Sequence, residues 1–139
     1  MSDGSAGEKS KRIIIVEDNV LVAKFFRMAL ERAGGFSCMI TEDVPTILSE
    51  IESGTVDLIL LDVSLTNAEW DGQLVNGVEL CQIFKQKSSR RLPVLLATAH
   101  AMSGDRERFL RTSGADGYLE KPVYDSALLV AKVRELMEE

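Results

Sequence analysis

The stretch DLILLDVSL, residues 57–65, places four aliphatic residues in a row, Leu58 to Leu61, directly before the carboxylate of Asp62. Polar and apolar residues do not alternate here, so the run reads as a strand buried on both faces, as in a parallel sheet covered by helices on each side. A charge at the end of such a strand costs roughly several kcal/mol unless something compensates it. Asp62 therefore needs a reason to stand where it does.

The same alternation of elements extends outward in both directions. Upstream, IIIV (13–16) predicts a first strand, followed by a helical pattern through Val22, Phe25, Phe26, Ala29 and Leu30 that stops at Gly34-Gly35. FSCMIT (36–41) predicts a second strand, and VPTILSEIES (44–53) a helix with Pro45 in its first turn and Gly54 after its end. Downstream, VELCQIFKQ (78–86) predicts a helix and PVLLAT (93–98) a fourth strand. Residues 102–113, around Phe109 and Leu110, predict a weakly amphipathic helix. DGYLE (116–120) predicts a short fifth strand, before a last helix with Leu129, Val133, Leu136 and Met137 on one face. Five strands alternating with five helices predict an α/β fold, a doubly wound five-stranded parallel sheet.

Composition agrees with one domain and excludes several classes of function. The 139 residues are 45% hydrophobic and 27% charged, as in an ordinary globular domain. Residues 1–10 are Gly, Ser and charged, which predicts a flexible tail ahead of a single domain over 11–139. A net charge of −6 argues against direct nucleic-acid binding. No apolar stretch approaches a membrane span, and MSDGSAGEKSKR lacks a signal-peptide core, so the expected location is the cytoplasm. Two cysteines, Cys38 and Cys81, make neither a disulfide framework nor a zinc site and read as small hydrophobes.

In an open parallel sheet, ligands bind outside the carboxyl ends of the strands. Strand one ends at Glu17-Asp18, strand three at Asp62, strand four at Thr98 and strand five at Glu120-Lys121-Pro122. Three carboxylates, a hydroxyl and an ammonium thus converge on one rim. Clustered carboxylates repel, and a hard divalent cation relieves them; oxygen donors without His or Cys point to Mg²⁺. Asp62 then serves as a ligand and as a nucleophile of the kind that forms aspartyl-phosphates. Thr98 and Lys121 suit the oxygens of a transferred phosphoryl group.

Four pieces in order, IIIVEDN (13–19), DLILLDVSL, PVLLATAHA (93–101) and GADGYLEKP (114–122), make the chain resemble the receiver domains of bacterial two-component response regulators. The resemblance runs from about Arg12 to Glu139 and is to the single-domain chemotaxis or cell-cycle type. It implies a flavodoxin-like sheet of order 2-1-3-4-5. It implies that Asp62 takes phosphate from a histidine kinase or a histidine phosphotransfer protein. Glu17 and Asp18 would hold Mg²⁺ directly or through water, and the backbone carbonyl of Ser64 would complete the metal shell. Thr98 and Lys121 would close on the phosphoryl group, with Tyr118 as an aromatic switch that turns inward. A cis bond before Pro122 would aim Lys121 into the site. By the same resemblance, His100 would occupy a position that in this family influences access of water to the phosphate. The signal would be read by a downstream protein at the face of the fourth helix, fifth strand and fifth helix, on a monomer or a weak phosphorylation-dependent dimer. Beyond self-catalysed phosphotransfer and autodephosphorylation, no enzyme activity is expected. With nothing after the last helix but Glu138 and Glu139, the chain would act as a stand-alone regulator or relay, or its output part has been cut away.

Plainer readings stand beside these. Glu17-Asp18 would serve equally to cap the first helix, Tyr118 to pack, and His100 to face solvent. The other class of function is an aspartate-nucleophile phosphatase of the haloacid-dehalogenase type, suggested by DVSLT (62–66). That family needs a second carboxylate two residues on, where this chain has Ser64, and the opposite order of its acids. A pseudo-receiver used only for binding does not fit, since no phosphorylation residue is missing. One departure from the family is clear. Fourteen residues without proline, VSLTNAEWDGQLVN (63–76), separate Asp62 from Gly77. Trp70, the only tryptophan, lies among them, either as a partner-binding anchor or folded back over its own loop; the cost of an exposed indole favours the second.

Overall fold

The computed structural model describes residues 10–65, 68–99 and 105–138. Nearly all of the predicted tail, His100 and the first turn expected for the fourth helix lie outside the described residues. In chain order the elements are β1 (Arg12–Val16), α1 (Val20–Arg32), β2 (Ser37–Ile40), α2 (Val44–Glu52), β3 (Leu58–Asp62), β4 (Glu69–Trp70), β5 (Gln73–Leu74), α3 (Gly77–Lys87), β6 (Val94–Thr98), α4 (Asp105–Ser113), β7 (Gly117–Glu120) and α5 (Ser126–Met137).

Five of these strands form one parallel sheet in the order β2-β1-β3-β6-β7, the expected 2-1-3-4-5 arrangement once the short pair β4–β5 is set aside. Strand residues alternate between two cores, as the period of a strand requires. Ile14, Ile59, Leu61, Val94 and Leu96 point into one core, filled by Ile47 and Ile51 of α2 and Leu80 and Phe84 of α3. Ile13, Ile15, Leu58, Leu60 and Leu95 point into the other, filled by Phe26 and Leu30 of α1 and Leu129 and Val133 of α5. This two-sided burial is why DLILL carries no polar alternation. Burial also pushes the Cys38 thiol up to about 12 and the Cys81 thiol up to about 11, so both stay protonated.

Helix starts are fixed by local chemistry. Asn19 caps α1 by accepting from the Val22 N–H over 3.1 Å, and no acid lies in that helix's first turn. The capping role considered for Glu17-Asp18 belongs to Asn19 instead, because its short amide reaches the turn. Asn76 and Glu79 form a capping box at the start of α3.

The segment after Asp62 is not a plain loop. β4 and β5 pair as a hairpin, with Asp71 (φ 56°) and Gly72 (φ 80°) at its tip. Two positive φ values in an Asp-Gly pair are the mark of a tight hairpin turn, a signal present in the sequence and overlooked there. Trp70 is half-buried, packed against the core that also holds Leu65, Ala68 and Val75 of its own segment, and its outer side lines a surface pocket with Pro45 and Leu48 of α2.

The chain returns to the sheet at Gly77. Its N–H donates to the Val63 carbonyl over 3.1 Å, and a Cβ there would lie 2.1 Å from the Asp62 carbonyl oxygen and 2.7 Å from Val63 Cα. Those neighbours are backbone and cannot turn aside. Gly77→Ala is therefore expected to destabilise the protein by about 1–3 kcal/mol, the range for forced overpacking. A denaturant midpoint unchanged from wild type would show that the start of α3 is free to shift.

Candidate phosphoacceptor site

The carboxyl ends of β1 and β3 lie side by side in register, Val16 opposite Leu61, so Glu17 and Asp62 stand next to each other at the rim. Both are only 4% exposed. One oxygen each from Glu17, Asp18 and Asp62 falls within 4.8 Å of the others. The set is oxygen-only and acidic, and its spacing matches what a small hard cation requires. The residues present fit Mg²⁺.

β7 brings in the opposite charge. The Lys121 N–H donates to the Thr98 carbonyl over 2.8 Å, which carries the β6–β7 ladder one residue past the strand. The Lys121–Pro122 peptide bond is cis. Lys121 Nζ lies 2.9 Å from Glu17 Oε1 and 3.5 Å from Asp62 Oδ1, and so bridges the two acids. Burial pulls the ammonium's pKa down, but hydrogen bonding and charge from Glu17 and Asp62 outweigh it, and the net shift is upward. Burial raises the Glu17 carboxyl, partly offset by the Lys121 and Asn19 hydrogen bonds. The Ser64 N–H donates to Asp62 Oδ1 over 3.1 Å, which orients the carboxylate from its own loop.

Thr98 ends β6 one residue beyond Ala97, the partner of Asp62, and is 1% exposed. Tyr118 is buried to 8% exposure, its ring stacked on Phe109 of α4 with centroids 6.1 Å apart and an 18° interplanar angle. The ring thus lies inside the fold in this structure, where it could pass a shift of Thr98 on to α4. One acid escaped the sequence reading. Glu42 follows β2, whose end was left out when the strand ends were compared, although the letters ITED (40–43) carry it.

The sequence model of the response regulator receiver domain family matches residues 13–134. The chain belongs to that family. This receiver domain is 36% identical over 114 residues to the polar-differentiation response regulator DivK of Brucella anthropi, covering 81% of this chain and 85% of that one. DivK of Brucella abortus is 36% identical over 115 residues, covering 82% and 86%. Among solved structures, a CheY-like receiver domain protein from Methanospirillum hungatei superposes with a TM-score of 0.74 at 26% identity, over 93% of this chain and 94% of that one. The receiver domain of the sensor histidine kinase PA1611 from Pseudomonas aeruginosa, solved with a magnesium ion coordinated in its active-site cleft, has a TM-score of 0.72 at 26% identity, over 93% and 98%. The phosphatase alternative finds no support: the candidate nucleophile ends the third strand of this receiver domain, and the residue two positions on is Ser64. No described helix is long and apolar enough to cross a membrane.

Proposed function

We propose that Asp62 is the phosphoacceptor of this receiver domain, in a Mg²⁺-dependent reaction with a phosphohistidine donor. The observation that carries the reading is Lys121 Nζ bridging two nearly buried carboxylates, Glu17 and Asp62, beside Asp18. An Asp62 oxygen attacks phosphorus, and a P–O bond forms as the P–N bond breaks and its electron pair leaves with the imidazole. Glu17, Asp18, Asp62 and the Ser64 carbonyl would hold the cation, which when bound would neutralise the acids and the phosphoryl oxygens beside them. Lys121 supplies a fixed positive charge and Thr98 a hydrogen-bond donor to those oxygens.

The donor is a histidine kinase or a histidine phosphotransfer protein. It docks beside Lys121, where an apolar groove of about 520 Å³ runs between α1 and the segment after β7. Leu21 and Tyr124 on its walls are 78% and 86% exposed, and a partner covering them removes that apolar surface from water. The cytoplasm, where such donors present their phosphohistidine, is the location that goes with this reading.

Phosphorylation adds about two negative charges and three acceptor oxygens at the rim. Thr98 moves toward them, and the Tyr118–Phe109 stack carries the displacement to α4, which changes the face made by α4, β7 and α5. Two charge-assisted hydrogen bonds supply about 3–6 kcal/mol. A shift from 1:99 to 99:1 needs about 5.5 kcal/mol, so the free protein already samples the active form. Amide chemical shifts with Mg²⁺ and beryllofluoride, a phosphoryl mimic, should change at Asp62 and also along residues 105–124. Changes confined to the neighbours of Asp62 would refute the switch.

A further inference from the structure

β2 lies parallel to β1 with Ile40 opposite Ile15. The ladder continues past the strand, since the Thr41 N–H donates to the Ile15 carbonyl over 3.1 Å. Two residues beyond that Ile15–Ile40 pair on either strand come Glu17 and Glu42, so the second strand delivers an acid to the same rim. Glu42 lies outside the set whose oxygens come within 4.8 Å of one another, which leaves direct ligation to Glu17, Asp18 and Asp62. Its Oε1 is nevertheless shut off from water and has no hydrogen-bond partner among the described residues. A carboxylate oxygen in that state is costly, because desolvation is not repaid by any bond. The cost is increased by the charges it faces. Burial first, then Asp18 and Asp62, raise its carboxyl pKa. The rim ammonium of Lys121 is engaged by Glu17 and Asp62.

We propose that Glu42 is an outer-sphere acid of the cation site, which accepts hydrogen bonds from the hydration shell of a divalent cation held by Glu17, Asp18 and Asp62. This rests on the cation reading given above and extends it to a residue on a fourth segment of chain. Mg²⁺ gives up its water reluctantly and is commonly bound through one or two carboxylates with several waters kept. Those waters are donors that need acceptors, and a turn of the half-buried Glu42 carboxyl that brings its unpartnered oxygen out to them supplies one. Partners of this outer kind typically account for a factor of about 10–100 in metal affinity. Glu42 is then a positioning residue, and its work is to hold the hydrated cation against the β2 side of the rim.

The test is calorimetric titration of the metal-free full chain with Mg²⁺, comparing wild type, Glu42→Gln and Glu52→Gln. Glutamine keeps the shape and removes the charge. Glu52, exposed at the end of α2, controls for the loss of one negative charge. Glu42→Gln is expected to weaken Mg²⁺ binding about tenfold, whereas Glu52→Gln changes it less than about twofold, as expected for a screened surface charge. The metal-free thermal midpoint of Glu42→Gln should equal or exceed that of wild type, which a merely structural role of Glu42 would not allow. Equal affinity in wild type and Glu42→Gln would overturn this inference alone, as would an equal loss in both variants. A wild-type protein that binds no Mg²⁺ would overturn the cation reading with it.

Discussion

Replacing Asp62 by asparagine is expected to abolish phosphate uptake without loss of the fold. The amide oxygen still accepts from the Ser64 N–H, a bond of 3.1 Å in the wild type, and Glu17 still holds Lys121 at 2.9 Å. The nucleophile is lost, since an amide oxygen carries too little charge to attack phosphorus. One of three crowded acids is also removed, which relieves their mutual repulsion. The thermal midpoint should therefore hold or rise while labelling falls to background. Mass spectrometry after incubation with Mg²⁺ and a small acyl-phosphate donor reads both the presence and the site of the adduct. Undiminished labelling of the variant would move the nucleophile elsewhere in the chain.

Asp18→Ala should cost the protein at least about a hundredfold in Mg²⁺ affinity, beyond what loss of an outer-shell partner usually causes. Asp18 is one of three acids whose oxygens fall within 4.8 Å of each other, and removing it leaves two, both already bridged by Lys121. The helix itself should not suffer, because Asn19 rather than Asp18 caps α1. The two roles weighed for this residue thus predict different results. A ligand gives a lost titration with an unchanged unfolding midpoint, and a cap gives the reverse. In the wild type, affinity should also fall as pH drops through the carboxylate range, since protonated acids do not coordinate. A Mg²⁺ titration of the variant that overlays wild type, followed by NMR, would remove Asp18 from the site.

The sheet was legible because its signal is redundant. Leu58 to Leu61 and Val94 to Thr98 are buried on both faces, and a two-sided strand leaves its mark in composition as well as in order. The rim was legible for a related reason: charge that follows such a strand has nowhere to go but the site. β2 carried a weaker signal. Its residues are half-buried or exposed, and Glu42 at its end was passed over. Only a three-dimensional arrangement reveals that one oxygen of Glu42 lacks a partner among the described residues. The hairpin was missed although Asp71-Gly72 announces it, because two-residue strands are too short to show a period. The packing of Tyr118 is not written in its neighbours along the chain. Its stacking on Phe109 depends on where α4 settles, which is set by packing between distant parts of the chain.

The bond from the Gly77 N–H to the Val63 carbonyl has an evolutionary consequence. It fastens the two ends of residues 64–76 together, so the hairpin between them is a cul-de-sac rather than a strut. Closing a flexible loop of twice the length adds only about 0.6 kcal/mol. Insertions and deletions at the hairpin tip, beyond Ser64 and the buried Leu65 and Ala68, leave the sheet register, the acids and Lys121 where they are. Drift in sequence can therefore lengthen, trim or redecorate the tip of the peptide that leaves Asp62, and a lineage can acquire new contacts there while inheriting the acidic rim intact.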